Sequence, residues 1–300
     1  MRKKVAFIGL GSMGGQMVHH LLRAGYVLTV YARRAPVMQP FVDAGAHAAS
    51  APAEAAREAD FICTNVTSTA DVEAVLLGAG SVIESAKCGA IVCDFSTIDV
   101  AATRRIAAAL ATKKIDFLDC PVSGGEKAAA AAALSIMVGG KADVLARARP
   151  LLETLGKTIS HMGEVGAGQI TKACNQIVQV VNIQGIAEAM LFARANGVDA
   201  AKVVDALMAG MAGSKMLDLM GRKMAARDFE AGIQARLHAK DFGLVAQAAA
   251  EQRLPMPAVA LVHQQLTQLM AHGWGNMDTC NLLRVLEETE REETQPEDAT

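Results

Sequence analysis

A doubly wound α/β domain with a mostly parallel sheet, followed by an all-helical domain, is the fold class that three observations predict. Short β-branched, apolar runs alternate with alanine-rich helical stretches through the first half of the chain. A glycine-spaced turn follows the first of those runs and opens the first helix. Beyond about residue 163 the strand signals stop and only helical periodicity continues. Nearly continuous apolar strands that alternate with helices need cover on both faces, as in a parallel sheet wrapped by helices.

The strand candidates are VAFIG (5–9), VLTVY (27–31), FICTNV (61–66), AIVCDF (90–95), DFLDCPV (116–122) and LSIMVGG (134–140). The alanine run at 128–133 lies between the last two and suits a short helical turn. Helical spacing then dominates from Gly166, with breaks expected at NG (196–197), AGMAGS (209–214) and RLPMP (253–257). The expected organisation is a dinucleotide-binding Rossmann domain over 1–163 and an all-helical domain for substrate and oligomerisation over 164–290, joined by a long helix. A flexible acidic tail is expected over 291–300, where REETQPEDAT is polar and interrupted by Pro296.

With 300 residues, 52% of them hydrophobic, the chain can bury two domain cores. A net charge of -2 and a pI near 6.4 give no basic field for nucleic acid, so small molecules are the expected partners. The six cysteines form no CxxC pair and sit mostly in apolar runs, as reduced core thiols do, and neither they nor the scattered histidines have metal-ligand spacing. The basic start before an apolar run looks superficially like a signal peptide, but glycines break it within a few residues. No stretch approaches the roughly 18 uninterrupted apolar residues of a membrane helix. A cytoplasmic protein without a membrane segment is expected.

The turn after the first strand reads Gly9-Leu10-Gly11-Ser12-Met13-Gly14, a GxGxxG spacing between strand and helix. Gly9 would make the tight turn, Gly11 would admit a pyrophosphate, and Gly14 would let helix and strand pack closely. The second strand ends in Ala32, Arg33 and Arg34, where an acidic residue would hold the ribose of NAD. Two guanidiniums suit a 2′-phosphate, which favours NADP(H) with NAD(H) as the alternative. A solvated loop would account for the same two arginines.

The stretch GQITKACNQIVQVVN (168–182) places Lys172, Asn175, Gln176 and Gln179 on one side of a helix. An ordinary solvated face mixes charges. Here a single cation sits among uncharged amides, more like the wall of a cleft.

Together GLGSMG, DCPVSGG (119–125), GAGQITKACNQ (166–176) and LHAKDF (237–242), in that order over about residues 4–286, resemble the β-hydroxyacid dehydrogenases, the 3-hydroxyisobutyrate dehydrogenase family. Within it, the phrase from Glu164 to Ala189 and the AGS at 212–214 are most similar to the branch that reduces tartronate semialdehyde. The resemblance implies a semialdehyde reductase acting on a small carboxylate-bearing aldehyde or hydroxyacid, and association into a homodimer or homotetramer. It also implies Lys172 as proton donor assisted by Asn175 and Gln176, substrate contacts from Ser123, Gly124 and Gly125, and cofactor contacts from Thr97 and Lys240 near the nicotinamide. Ser214 is a weaker substrate contact or a helix cap, and Asp241 a plain surface or capping acid.

Two departures stand out: alanines occupy positions after SGG where the family usually has glycines, so the substrate loop is expected to change at Ala132 and Ala133, and Cys120 replaces an alanine. Other family substrates, namely 3-hydroxyisobutyrate, glyoxylate and succinic semialdehyde, remain open, as does a non-catalytic cofactor-binding scaffold.

Overall fold

Buried on both faces, the apolar runs of the first half assemble into one sheet. In the computed structural model, which describes residues 3–294, the strands are β1 (Lys4–Ile8), β2 (Val27–Tyr31), β3 (His47–Ala48), β4 (Phe61–Thr64), β5 (Ile91–Asp94), β6 (Asp116–Asp119), β7 (Val122–Ser123), β8 (Leu134–Gly139) and β9 (Gly156–Gly163). They run in the order β3-β2-β1-β4-β5-β6-β8-β7, with β9 also on β8. All pairings are parallel except β6 with β8 and β7 with β8.

Period-two alternation feeds two cores. β1 sends Val5 and Phe7 to one face, where they join Cys63 of β4, Cys93 of β5 and Met17 and Leu21 of the Ser12–Arg23 helix. Ala6 and Ile8 face the other way, against Ile62, Val92 and Ile106 and Leu110 of the Val100–Ala111 helix.

Three strands escape the apolar-run criterion. β3 has only two residues, both exposed, and β9 is mostly exposed along its length. The expected single strand over 116–122 is broken at Pro121, which lacks the N–H a continuing ladder needs. The chain leaves β6 at Asp119 and re-enters as β7, antiparallel to β8.

The chain divides into two compact units between Lys172 and Ala173, inside the helix Ala167–Ala195. In the second unit, Val180, Ile183, Ala187 and Met190 of that helix pack with Val204, Met220, Phe242, Val262, Leu266 and Leu282. Helices end at Ala195, Met208 and Glu251, at the expected breaks. Among the described residues, Ala167–Ala195 is the one helix whose length and mean hydropathy would let it cross a membrane, but its middle is part of this core. The final helix, Leu282–Thr294, continues into the segment expected to be a flexible tail, and 295–300 lie outside the described residues.

Candidate active site

The cofactor cradle starts where β1 ends. Gly9 has φ +100°, and a Cβ there would run into the Asn65 carbonyl oxygen that follows β4. Gly14 sits against the Gly9 carbonyl, so a side chain would push the helix off the strand. At Gly11 an added Cβ would meet nothing within 4 Å, which leaves that backbone open to a ligand. Gly11 is also the N-cap of the Ser12–Arg23 helix and has no side chain to cap it, and the first turn holds no acidic residue. Unpaired N–H groups and the positive end of the helix suit a pyrophosphate. Leu10 is buried in the core, Met13 packs against it, and Ser12 is exposed. β1 lies between β2 and β4, so the strand order reverses at the carboxyl end where the turn sits, the usual ligand crevice of such sheets. The residues present therefore fit a dinucleotide.

Arg33 and Arg34 follow β2, and both are exposed. The Arg33 guanidinium is 3.1 Å from Asp71, the residue that completes the capping box of the Thr69–Leu77 helix.

Thr64, Asp94 and Asp119 stand in register at the carboxyl ends of β4, β5 and β6. Asp94 Oδ1 accepts from the Thr64 hydroxyl (2.7 Å) and the Ser96 N–H (3.1 Å), while Oδ2 has no hydrogen-bond partner. Burial pushes the Asp94 carboxyl up to about 6, against the pull of those hydrogen bonds and with a further push from Asp119. A folded-state pKa above the unfolded value means that Asp94 stabilises the fold most below pH 3.8, and that this contribution is lost as pH rises through about 6. Asp94→Asn does not titrate. Its stability relative to the parent should therefore rise between pH 4 and pH 7 by on the order of 3 kcal/mol in urea denaturation. A pH-independent difference would contradict the buried-carboxylate assignment.

Asp119 is also buried, which raises its pKa against the pull of backbone N–H bonds. Its Oδ1 accepts from Gly166 N–H (2.8 Å) and its Oδ2 from Gln169 N–H (2.9 Å). A carboxylate thus receives the N-terminus of the Ala167–Ala195 helix, a charge-assisted arrangement that the helix dipole favours. Gly168 permits the approach, since a Cβ there would meet the Met137 and Asp119 carbonyl oxygens at 2.5 and 2.8 Å. Lys172 is one turn further along and only 8% exposed.

Ser123 ends β7, opposite Ser135 of β8, and is half-buried. Gly124 (φ +131°) and Gly125 (φ +66°) turn the chain into the Gly125–Ala130 helix, as only glycine does readily. Ala132 then takes a φ of +49°, the left-handed conformation in which glycine is relaxed. An alanine held in that conformation costs roughly 1 kcal/mol relative to glycine.

The first unit thus holds the cradle residues, Arg33, Arg34, half-buried Thr97, Ser123 to Gly125 and Lys172. Asn175, Gln176 and Lys240 belong to the second. There Asn175 donates to Gln176 (2.8 Å), and Gln176 donates to Asp241 Oδ2 (2.6 Å). Lys240 Nζ forms an ion pair with Asp241 Oδ1 at 2.8 Å. Asp241 is therefore not the surface acid expected: it is buried and holds the Gln176 amide. Ser214 accepts from Leu217 N–H at 3.0 Å, a cap within its turn, and from the Asn182 amide at 3.2 Å. Sequence reasoning missed Asp94, Asp119 and Gln169. The signal available for the two acids was a carboxylate ending an otherwise apolar run. No group of three or more potential metal-ligating side chains occurs among the described residues.

Residues 4–163 match the family model of the NAD binding domain of 6-phosphogluconate dehydrogenase, and residues 166–286 match the model described as NAD-binding of NADP-dependent 3-hydroxyisobutyrate dehydrogenase. The chain is 38% identical to 2-hydroxy-3-oxopropionate reductase of Escherichia coli, over 95% of this chain and 97% of that one. It is 35% identical to an NAD-dependent L-serine dehydrogenase of Pseudomonas aeruginosa, over 96% and 99%. Among solved structures, Mycobacterium tuberculosis 3-hydroxyisobutyrate dehydrogenase with L-serine superposes with a TM-score of 0.88 at 30% identity, covering 95% of this chain and 99% of that one.

Proposed function

Because the chain belongs to the 3-hydroxyisobutyrate dehydrogenase family of NAD(P)-dependent β-hydroxyacid dehydrogenases, we propose that it reduces a small carboxylate-bearing aldehyde of the 2-hydroxy-3-oxopropionate type, using NADPH. The reading rests on one observation above all. A lysine, Lys172, is almost fully buried one turn beyond a helix N-terminus that is tied to the carboxyl ends of the strands.

Bound nicotinamide supplies a hydride to the carbonyl carbon. The Lys172 ammonium faces the negative charge that develops on the carbonyl oxygen and gives it a proton, leaving a neutral amine and a hydroxyacid. Ser123 offers a hydroxyl, and Gly124 and Gly125 offer backbone N–H groups, to the substrate carboxylate. Asn175 and Gln176 orient the ammonium or a substrate oxygen, with Gln176 itself held by Asp241. Thr97 and Lys240 contact the cofactor. Exposed Arg33 and Arg34 at the end of β2, with no acidic residue in the ribose position, favour the 2′-phosphate of NADPH.

A second reading, oxidation of a β-hydroxyacid such as serine or 3-hydroxyisobutyrate, draws on the names of the two relatives at 35% and 30% identity. The deciding measurement is a kcat/KM panel with both nicotinamide cofactors. It runs 2-hydroxy-3-oxopropionate, glyoxylate and succinic semialdehyde in the reducing direction, and serine and 3-hydroxyisobutyrate in the oxidising direction. The highest value is expected for 2-hydroxy-3-oxopropionate with NADPH. A panel led by serine or 3-hydroxyisobutyrate would replace this reading with the second, and one led by NADH would overturn the cofactor assignment alone.

A further inference from the structure

Gln169 is 2% exposed and uses both ends of its amide on one short segment. Its Nε2 donates to the Ser96 carbonyl (2.8 Å), and its Oε1 accepts from the Ile98 N–H (3.2 Å). The residue bracketed by these two bonds is Thr97, just past the end of β5. The amide thereby supplies the donor–acceptor pair that a neighbouring strand would give to an extended segment. Ser96 and Ile98 are themselves buried, at 2% and 3% exposure, so their backbone groups need partners. The Gln169 N–H meanwhile donates to Asp119 at the end of β6. One residue therefore ties together the loop after β5, the end of β6 and the first turn of the helix that carries Lys172, all within the first unit.

We propose that Gln169 is a positioning residue for hydride and proton transfer: its amide clamps the Ser96–Ile98 backbone to the first turn of the Lys172 helix, which fixes Thr97 and the proton donor in one register. This rests on the roles given above to Lys172 and Thr97. Two substitutions of similar length separate the amide's hydrogen bonds from its bulk. Methionine has similar length but neither hydrogen-bonding group. An ionised glutamate accepts from Ile98 N–H but sets a negative oxygen against the Ser96 carbonyl. A protonated glutamic acid both donates and accepts, as the amide does.

The test is steady-state kinetics of Gln169→Met and Gln169→Glu with NADPH and the best aldehyde of the panel, on protein shown folded by its melting transition. Gln169→Met should lower kcat by about 10- to 100-fold while the aldehyde KM and the NADPH Kd move by less than about threefold, because misplacement by about 1 Å acts on the reacting geometry. The primary isotope effect on kcat with NADPH deuterated at the transferred position should rise, as a purely structural role would not make it do. Gln169→Glu should recover towards the parent as pH falls from about 8 to about 5 and its carboxyl takes up a proton.

The carboxylates packed around the clamp are Asp119, bonded to the Gln169 N–H, and Asp94, bonded to the Ser96 N–H, so the profile is expressed as the ratio to the parent, which shares both. A kcat within twofold of the parent in Gln169→Met overturns the proposal. A lower kcat with an unchanged isotope effect does the same, as does a Gln169→Glu ratio that stays flat with pH. If Gln169→Met does not fold, the Gln169→Glu ratio and its isotope effect decide alone. Near-normal turnover in Lys172→Ala would instead remove the reading on which the clamp's purpose depends, and would leave the hydrogen bonds as structural.

Discussion

Lys172→Ala should bind NADPH with near-parental affinity and lose at least about a thousandfold in kcat, with far smaller changes in the aldehyde KM. Two losses combine in that figure. General acid catalysis contributes typically 10²- to 10⁴-fold, and a positioned charge facing a developing alkoxide contributes about 10²- to 10³-fold. The two act through one group and are not additive, so the sum of their logarithms is an upper bound. Lys172→Arg separates them. The guanidinium keeps the cation but holds its proton across the working pH range, so it restores electrostatic stabilisation without proton transfer. Arg should therefore fall between Lys and Ala if both effects operate, and match Ala if only the proton matters. Cofactor titration by fluorescence and single-turnover kinetics measure the two halves separately. Turnover of Lys172→Ala within tenfold of the parent would take Lys172 out of the mechanism.

What makes Lys172 legible in the sequence is its company, one cation among amides along a helix of apolar and small residues. The glycine turn is legible for a similar reason, because strand, glycine spacing and helix have to coincide. Strands β1, β4 and β5 show in the sequence because burial on both faces forces continuous apolar runs, and β2 and β8 show as β-branched runs with one face fully buried and the other half-buried. β9 does not, since its residues are largely exposed and its pairing to β8 is made by backbone rather than by side-chain pattern. The supporting residues are hidden for a different reason. Asp119 meets Gly166 across 47 positions of sequence, and Gln169 meets Ser96 across 73. Their roles depend on which strand ends adjoin, which no local period encodes. Gln169 in particular looks like one more polar residue near a helix start until the loop after β5 is placed beside it.

Gly14→Ala sets two sequence rules against each other, because helix propensity alone would predict the wrong sign while the glycine spacing predicts the right one. Position 14 is inside the Ser12–Arg23 helix, where alanine is preferred to glycine by about 1 kcal/mol. The structure reverses this. The new Cβ would overlap the Gly9 carbonyl oxygen and lie 3.1 Å from Phe7 Cε1 and 3.2 Å from the Gly9 carbonyl carbon. Two of those atoms are backbone and the third belongs to a fully buried ring, so none can swing aside. Relief requires the helix to retreat from β1, which opens the core around Met17 and Leu21 and pulls the first-turn N–H groups away from the phosphate position. A net destabilisation of about 2–4 kcal/mol is expected, together with at least about a tenfold weaker NADPH affinity. Gly185→Ala is the matched control, a glycine within the Ala167–Ala195 helix whose added Cβ meets nothing within 4 Å. There the propensity acts unopposed and a gain of roughly 0.5–1 kcal/mol is expected. Urea denaturation of both variants, with and without NADPH, tests the pair. If Gly14→Ala matched Gly185→Ala in sign, the close approach of helix and strand at the cradle would be wrong, and with it the physical reason for that glycine.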